Sequence, residues 1–157
     1  MNGNDALLLA LGIGFVAGLR SMTAPAVVSW GAHLGRLGLR GSALGFVGTA
    51  EFAVLATVMA AVEFVVDLLP QAPNRTEPAS LVVRMITGGL CGACLSVAGG
   101  HSAMAGATLG AMGGVLGAFV GFEARTRLVK ALKVPGAMVA IPEDLVAIGL
   151  AYAIVFL

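Results

Sequence analysis

Two long apolar segments separated by a short turn most constrain what this chain can fold into. The first covers residues 79–98, the second covers 103–122, and the turn between them is Gly99–Ser102. A helix of about 20 apolar residues matches the ~30 Å thickness of a bilayer's hydrocarbon core. The pair therefore predicts an antiparallel hairpin of membrane-spanning helices.

The scarcity of charge extends this conclusion to the whole chain. Its 157 residues are 59% hydrophobic and 11% charged, with a mean hydropathy of +0.99. A soluble domain carries charge on roughly a quarter to a third of its surface, which this sequence cannot supply. We therefore predict one integral membrane domain over residues 1–157. The net charge of +1 gives no electrostatic basis for a nucleic-acid partner.

The remaining segments predict an all-α, polytopic transmembrane helix bundle of about five spans. Pro25 interrupts the first apolar segment and predicts a break near Arg20–Pro25. Residues 26–34 beyond the break could span, re-enter the membrane or lie at its interface. The other predicted helices cover 43–69, 79–98, 103–133 and a final helix that begins near Pro142.

The distribution of Lys and Arg predicts the orientation. With five spans, Arg75 and the basic segment Arg125–Lys133 share a side with the N-terminus, and Arg36 and Arg40 lie opposite. Because basic loops stay in the cytoplasm, we predict a multi-pass protein of the bacterial inner (plasma) membrane with a cytoplasmic N-terminus.

Glycines four residues apart predict close helix packing, because they let two backbones approach each other. These sets are Gly14 and Gly18, Gly88 and Gly92, Gly106, Gly110 and Gly114, and Gly113, Gly117 and Gly121. The last two sets lie on two faces of one helix, more than one neighbour needs. This excess suggests a homo-oligomer, a dimer.

A weak internal similarity suggests an inverted two-helix repeat around a central helix. The segment Gly14–Arg20 resembles Gly117–Glu123, and each precedes a helix with an early acid, Glu51 in one case and Glu143 in the other. Many secondary transporters have such repeats, with their sites at broken helices between them. Chance matching of glycine-rich segments is the alternative.

Charges inside predicted spans identify the candidate site, since they are costly in a membrane and tend to mark function. Arg20 lies thirteen residues after Leu7, about 20 Å along a helix, beside the predicted break. Its guanidinium could bind a carboxylate or phosphate in a forked geometry, or form a structural pair with Glu51 or Glu63. The candidate binding residues are Arg20, Ser21, Thr23, Glu51, Glu63, Asp67, Arg84 and Glu123.

Motifs for catalysis, cofactors or metals are weak. Cys91 and Cys94 form a CxxC in mid-span, where packing is a better interpretation than redox chemistry. His33 and His101 lie far apart without an acid or cysteine at metal-ligand spacing. No nucleotide-binding or hydrolase motif occurs. We therefore predict no cofactor and no metal, and an enzyme is the less favoured class.

Several short motifs resemble the bacterial membrane-protein family known as domain of unknown function 4126. They are Gly18-Leu19-Arg20-Ser21 with Ala24-Pro25, Glu63, Asp67 and Pro70, Asn74-Arg75, Arg84 with the glycines after it, and Glu143-Asp144. The resemblance covers nearly the whole chain. Members often have a lysine after the aspartate, where this chain has Leu68, so a lysine-dependent role at that corner is not expected. The resemblance implies a small inner-membrane protein and no particular activity.

These observations lead to one functional hypothesis and two alternatives. The protein binds or translocates a small charged solute or lipid headgroup through a polar site between glycine-packed helices. Its partners would then be membrane lipids and that solute or headgroup. Alternatively, it is a non-transporting structural or assembly protein with internally paired charges. A membrane enzyme acting on lipid headgroups is a third, weaker option.

Overall fold

The structure, a computed structural model, describes residues 3–68, 76–133 and 136–157. These ranges contain six α-helices and one short 3-10 helix, and no strand. The helices are α1 (Gly3–Leu19), α2 (Thr23–His33), α3 (Ala50–Leu68), α4 (Pro78–Ala98), α5 (Ala103–Leu132) and α6 (Gly136–Phe156), and the 3-10 helix Gly45–Gly48 precedes α3. The all-α prediction is confirmed. The three prolines at 70–78 predict a loop, and Pro135-Gly136 predicts a helix break; residues 70–75 and Pro135 lie outside the described residues.

The helices have the length and the outer surface of a membrane protein. By length and composition, α4, α5 and the Met138–Phe156 part of α6 could each cross a membrane, and α1 is apolar but shorter. Large aliphatic side chains point outward, and Leu55, Ile86 and Leu145 are each more than half exposed. Such a surface suits lipid rather than water.

The predicted break in the first apolar segment is confirmed. Helix α1 ends at Leu19 and α2 begins at Thr23. Pro25 lies in the first turn of α2, where its missing N–H would have had no helical partner. The chain then reverses, because the far end of α2 packs Gly31 against Val155 near the end of α6. Gly12 of α1 faces Ile154 at this same end of α6, so α2 runs antiparallel to α1. Residues 26–33 form most of this short helix, and Leu34 follows its end.

Two predicted helix starts differ from the structure. Helix α3 begins at Ala50 rather than residue 43, because the 3-10 helix comes first and the Thr49 hydroxyl accepts a hydrogen bond from the Phe52 amide (3.3 Å). The prediction that the last helix starts near Pro142 is wrong, since α6 begins at Gly136 and contains Pro142. Membrane helices tolerate an internal proline where neighbouring groups satisfy the freed carbonyl.

Helices α1, α4 and α5 pack closely on one another and form what we call the inner triad. A Cβ atom on Gly88 would lie 2.6 Å from the Gly110 carbonyl oxygen, and one on Gly114 would lie 2.6 Å from that of Arg84. Backbone therefore lies directly against backbone, as the glycine spacing predicts.

Both glycine faces of α5 are used within one chain. Gly106 and Gly110 face α4, whereas Gly113 and Gly117 face Leu11 and Phe15 of α1. The apparent excess of glycine faces is thus explained without a second copy. The homodimer stays a prediction, but the two glycine faces of α5 no longer support it.

Helices α2, α3 and α6 form the outer triad, with α2 between the other two. Helix α6 also borders α1 and α5, and the boundary between the two triads is called the seam below. Ion pairs between Arg20 and both Asp67 and Asp144 bring together the end of α1, the end of α3 and the first half of α6. We call this the ionic end of the bundle and the other the distal end.

The helix directions correct two topological expectations. Gly14 meets Gly110 and Gly18 meets Gly114, so α1 and α5 run parallel. The N-terminus therefore lies at the distal end and Lys133 at the ionic end, whereas the five-span arrangement put them on one side. The two segments interpreted as inverted copies also run in the same direction, so this pairing is not an inverted repeat.

Candidate functional site

Six charged side chains meet in the seam at the ionic end. Three are arginines of the inner triad and three are carboxylates of the outer triad. They are Arg20 at the end of α1, Arg84 on α4, Arg125 on α5, Glu63 and Asp67 on α3, and Asp144 on α6. The formal charges sum to zero when all six are ionised. We call this set the ionic cluster.

Arg20 is the centre of the ionic cluster and is 1% exposed. Its Nε donates a hydrogen bond to Oδ1 of Asp144 (2.5 Å), and its Nη2 forms an ion pair with the same carboxylate. Its Nη1 lies 2.7 Å from Oδ2 of Asp67, and its guanidinium carbon lies 5.0 Å from the centre of the Phe64 ring. One planar cation therefore links α1 to both α3 and α6 by charge-assisted bonds.

Glu63 stabilises the start of α2. Its Oε1 accepts hydrogen bonds from the Ser21 amide (2.9 Å) and hydroxyl (2.7 Å), and its Oε2 accepts one from the Met22 amide (2.9 Å). The first amides of a helix have no partner within the helix and carry a partial positive charge. A carboxylate from α3 satisfies the amide of Met22, the residue that caps the start of α2, and that of Ser21 in the break before it.

Arg84 satisfies a backbone carbonyl at the end of α1, whereas Glu63 satisfies backbone amides before α2. It is 5% exposed, and its Nη1 donates a hydrogen bond to the Gly18 carbonyl (2.6 Å), in the last turn of α1. Its Nε donates to the Ser80 hydroxyl (3.2 Å), and its Nη2 lies 3.9 Å from Glu63 Oε1. At the break, an arginine thus hydrogen-bonds the end of α1 and a glutamate hydrogen-bonds the start of α2. These side chains satisfy backbone groups that lipid could not.

The ionic cluster lies beneath the edge of the apolar layer rather than in open solvent. The apolar part of α5 ends at Phe122, and Gly18 packs beside Gly117 of α5, which places Arg20 about one turn short of that edge. Arg125 lies just beyond Phe122, is 23% exposed, and reaches Asp67 with 3.8 Å between Nη1 and Oδ2. The cluster therefore lies at the level where the apolar part of α5 passes into its charged end.

Five of the eight predicted site residues come together here. They are Arg20, Ser21, Glu63, Asp67 and Arg84. Thr23 is buried at the start of α2, one residue beyond Met22. Glu51 is exposed at the distal end, and Glu123 is exposed and paired with Arg127 (2.7 Å), so the structure separates both from the cluster. Binding by these residues stays a prediction.

Sequence reasoning missed Asp144 and Arg125. Asp144 lies beside the predicted helix start at Pro142, but it shares a buried stripe with Ala140, Ala147 and Ala151, and this 4-3-4 spacing is a readable signal. Arg125 belongs to the basic segment Arg125–Lys133 and continues the four-residue glycine spacing of α5. In both cases the signal is a charge that takes a place in a periodic row of small residues.

The other candidate groups lie apart from the ionic cluster. Cys91 and Cys94 are free, buried in α4 and part of the hydrophobic core. Among the described residues, no group of three or more histidine, cysteine, aspartate or glutamate side chains is placed to hold a metal ion. The ionic cluster itself offers three guanidinium groups and three carboxylates.

The family comparison agrees with the motifs in the sequence. The model of the family described as domain of unknown function (DUF4126) matches residues 7–157. Comparisons with curated proteins and with solved structures found no match. Any functional argument therefore depends on the geometry of the ionic cluster.

Proposed function

The chain belongs to this DUF4126 family, and we propose that it binds a small charged solute or lipid headgroup in the ionic cluster and passes it between the two triads. The main observation in support of the proposal is that positive and negative side chains lie on opposite sides of the seam. The arginines belong to the inner triad and the carboxylates to the outer one. A charged ligand can replace either partner of such a pair, and the replacement separates the triads.

The cost of the ionic cluster supports a role beyond packing. Burying an ion pair has a large desolvation penalty, and well-packed apolar residues of similar volume often give equal or greater stability. Intramembrane ionisable groups are for the same reason a functional-site hypothesis by default. Six such groups at one end of a small bundle are better explained by ligand exchange than by stability.

The packing of the helices would let one triad move relative to the other. The inner triad is held by direct backbone contacts along its glycines and is expected to move as one body. The outer triad meets it at the ionic cluster and at an apolar boundary. The break between Leu19 and Thr23 connects the triads, and broken helices are where many transporters bind their substrates.

We propose that the ionic end faces the cytoplasm of a bacterial inner membrane. The last part of α5 places its basic residues at that end, namely Arg125, Arg127, Lys130 and Lys133, whereas the distal end has Arg36 and Arg40. The positive-inside rule then puts both the N-terminus and the C-terminus on the opposite side. This replaces the cytoplasmic N-terminus expected from five spans.

A structural or assembly role is the second candidate, and one observation favours it. Glu63 and Arg84 satisfy the free backbone groups of α2 and α1 without any ligand. If every charge in the cluster serves only to stabilise the broken helix, the seam never admits water.

Cysteine accessibility separates the two candidates. In a variant with Cys91→Ala and Cys94→Ala, a single cysteine replaces Ala147, which is 0% exposed and one turn beyond Asp144 on α6. If the triads part, a membrane-impermeant thiol reagent labels Ala147→Cys, and labelling is faster when Arg20→Gln is added. Leu145→Cys, which faces lipid, is the unlabelled control, and Lys133→Cys is the labelled one.

Complete protection of Ala147→Cys in both backgrounds, with Lys133→Cys labelled normally, would refute transport. The structural role would then be the better account. Folding of each variant is checked by helicity and by a single peak in gel filtration, so that labelling of unfolded protein is not mistaken for opening.

A further inference from the structure

An apolar groove lies in the seam between α1, α5 and α6. Its volume is about 320 Å³, and its walls are formed mainly by Leu8, Leu11, Val16, Leu116, Leu150 and Ile154. Leu8, Leu116 and Leu150 are 70%, 52% and 42% exposed, so the groove opens sideways toward the bilayer. A molecule could therefore enter from the lipid without crossing a polar surface.

The groove ends about one helical turn from the ionic cluster. The Val16 carbonyl accepts a hydrogen bond from the Arg20 amide (2.8 Å), so Arg20 lies one turn beyond this wall. On the facing wall, Asp144 precedes Leu150 by six residues, about 9 Å of helix. Ala147, which is buried, lies between Leu150 and Asp144, so the groove and the Arg20–Asp144 pair would join when the triads part at this level.

The groove has the shape expected for a hydrocarbon chain. From Val16 it extends back along α1 to Leu8, eight residues or about 12 Å. Its lining is almost entirely aliphatic or aromatic carbon. A hydrated inorganic ion or a small soluble solute would lose its water contacts between such walls. An acyl chain moves from one apolar surrounding to another and can gain van der Waals contacts in the groove.

On the basis of the proposed function, we propose that the ligand is an anionic membrane phospholipid with one acyl chain in the groove and its phosphate on Arg20. The phosphate takes the forked guanidinium contact that the Asp144 carboxylate occupies in this structure. A headgroup at the cluster and a chain in the groove form one continuous amphiphile site along the seam.

Photo-crosslinking tests the proposal on the full-length protein in detergent micelles. The probe is phosphatidylglycerol with a diazirine in one acyl chain, and the labelled residues are mapped by mass spectrometry. We expect labelling concentrated between Leu8 and Val16 and around Leu150. Leu150→Trp fills the groove and should lower this labelling at least fivefold, whereas Leu145→Trp on the outer face of α6 is the matched control and should not change it.

Competition experiments distinguish the lipid from a soluble anion. Unlabelled phosphatidylglycerol should displace the probe at least fivefold better than phosphatidylcholine, because the phosphate of phosphatidylglycerol carries an uncompensated charge. Glycerol phosphate, which has no chain, should not displace it. Arg20→Gln should remove the preference between the two lipids while groove labelling persists.

Three results would overturn the proposal. The first is labelling spread evenly over the outer faces of α3 and α6. The second is an equal loss of labelling in Leu150→Trp and Leu145→Trp. The third is displacement by glycerol phosphate as effective as by the lipid, which would leave a charged site, and hence the proposed function, but remove the chain. Protection of Ala147→Cys with groove labelling intact would instead refute transport and leave a lipid-binding site.

Discussion

Arg20 is the residue whose replacement should destabilise the protein most. Arg20→Met leaves the carboxylates of Asp67 and Asp144 in the seam, where their side chains are 14% and 12% exposed. Removing one partner of a buried ion pair costs about 3–5 kcal/mol, because an uncompensated charge stays behind. A domain's total stability is about 5–15 kcal/mol, so we expect the variant to lose a large part of its stability but to stay folded in the absence of denaturant.

The informative comparison is with the triple variant Arg20→Met/Asp67→Leu/Asp144→Leu. It removes the cation together with its two carboxylates and leaves no orphaned charge among the three. Apolar replacement of a whole buried ionic group is often neutral or stabilising, so we expect a stability within about 1 kcal/mol of the wild-type protein. Arg125 loses Asp67 as a partner, but it is 23% exposed and can extend to the interface.

Unfolding by sodium dodecyl sulfate in mixed micelles, followed by helicity, measures both free energies. If the single variant is as stable as the wild type, or if the triple variant is as unstable as the single one, the energetic argument is wrong. The triple variant also separates stability from function. A folded triple variant with no preference for phosphatidylglycerol would mean that the charges serve a ligand rather than the fold.

Three further predictions concern packing, capping and the thiols. Gly110→Ala should cost about 3 kcal/mol, at the upper end of the usual overpacking range because a Cβ there meets backbone of α4, while Gly149→Ala, with open space around it, should be neutral or slightly stabilising in the same unfolding assay. Glu63→Gln should cost about 1–3 kcal/mol of unfolding free energy, since a charged acceptor becomes neutral. It should also speed hydrogen exchange at the Ser21 and Met22 amides, and unchanged exchange there would contradict the capping role of Glu63. Cys91 and Cys94 are 1% and 0% exposed, so both should react with thiol reagents only at the rate of unfolding, and rapid labelling of the native protein would show that α4 is not packed as described.

The sequence was sufficient for the class of fold and for most helices because those features follow from local composition. The apolar segments 79–98 and 103–133 match α4 and α5 within a residue or two. Arg20–Pro25 marks the break between α1 and α2. The start of α6 was predicted wrongly, because proline commonly marks the first turn of a helix in soluble proteins but is a tolerated interior residue in a membrane helix.

The arrangement of the helices could not be obtained in this way. The sequence indicates that glycines pack against backbone, yet it does not say which helix each glycine set meets. The two faces of α5 therefore suggested a second copy, whereas α1 and α4 occupy them. Likewise, the charges of the site were visible as residues, but which of them meet depends on helix directions. Glu51 and Glu63 share one helix and lie at opposite ends of the bundle, and only Glu63 reaches the ionic cluster.

The connectivity explains why the ionic cluster lies at one end of the seam rather than along its length. The chain passes between the triads three times, from α1 to α2, from α3 to α4 and from α5 to α6. The helix ends that these passages join lie at the ionic end. The connections at the distal end, from α2 to α3 and from α4 to α5, stay within a triad. Three covalent links and the ion pairs therefore hold the ionic end, while only non-covalent contacts across the apolar seam hold the distal end.

If the pairs exchange partners with a phosphate, the triads should separate most where no link restrains them, and the acyl-chain groove lies on that side of Arg20. Binding at the ionic cluster and opening of the groove would then be two parts of one motion.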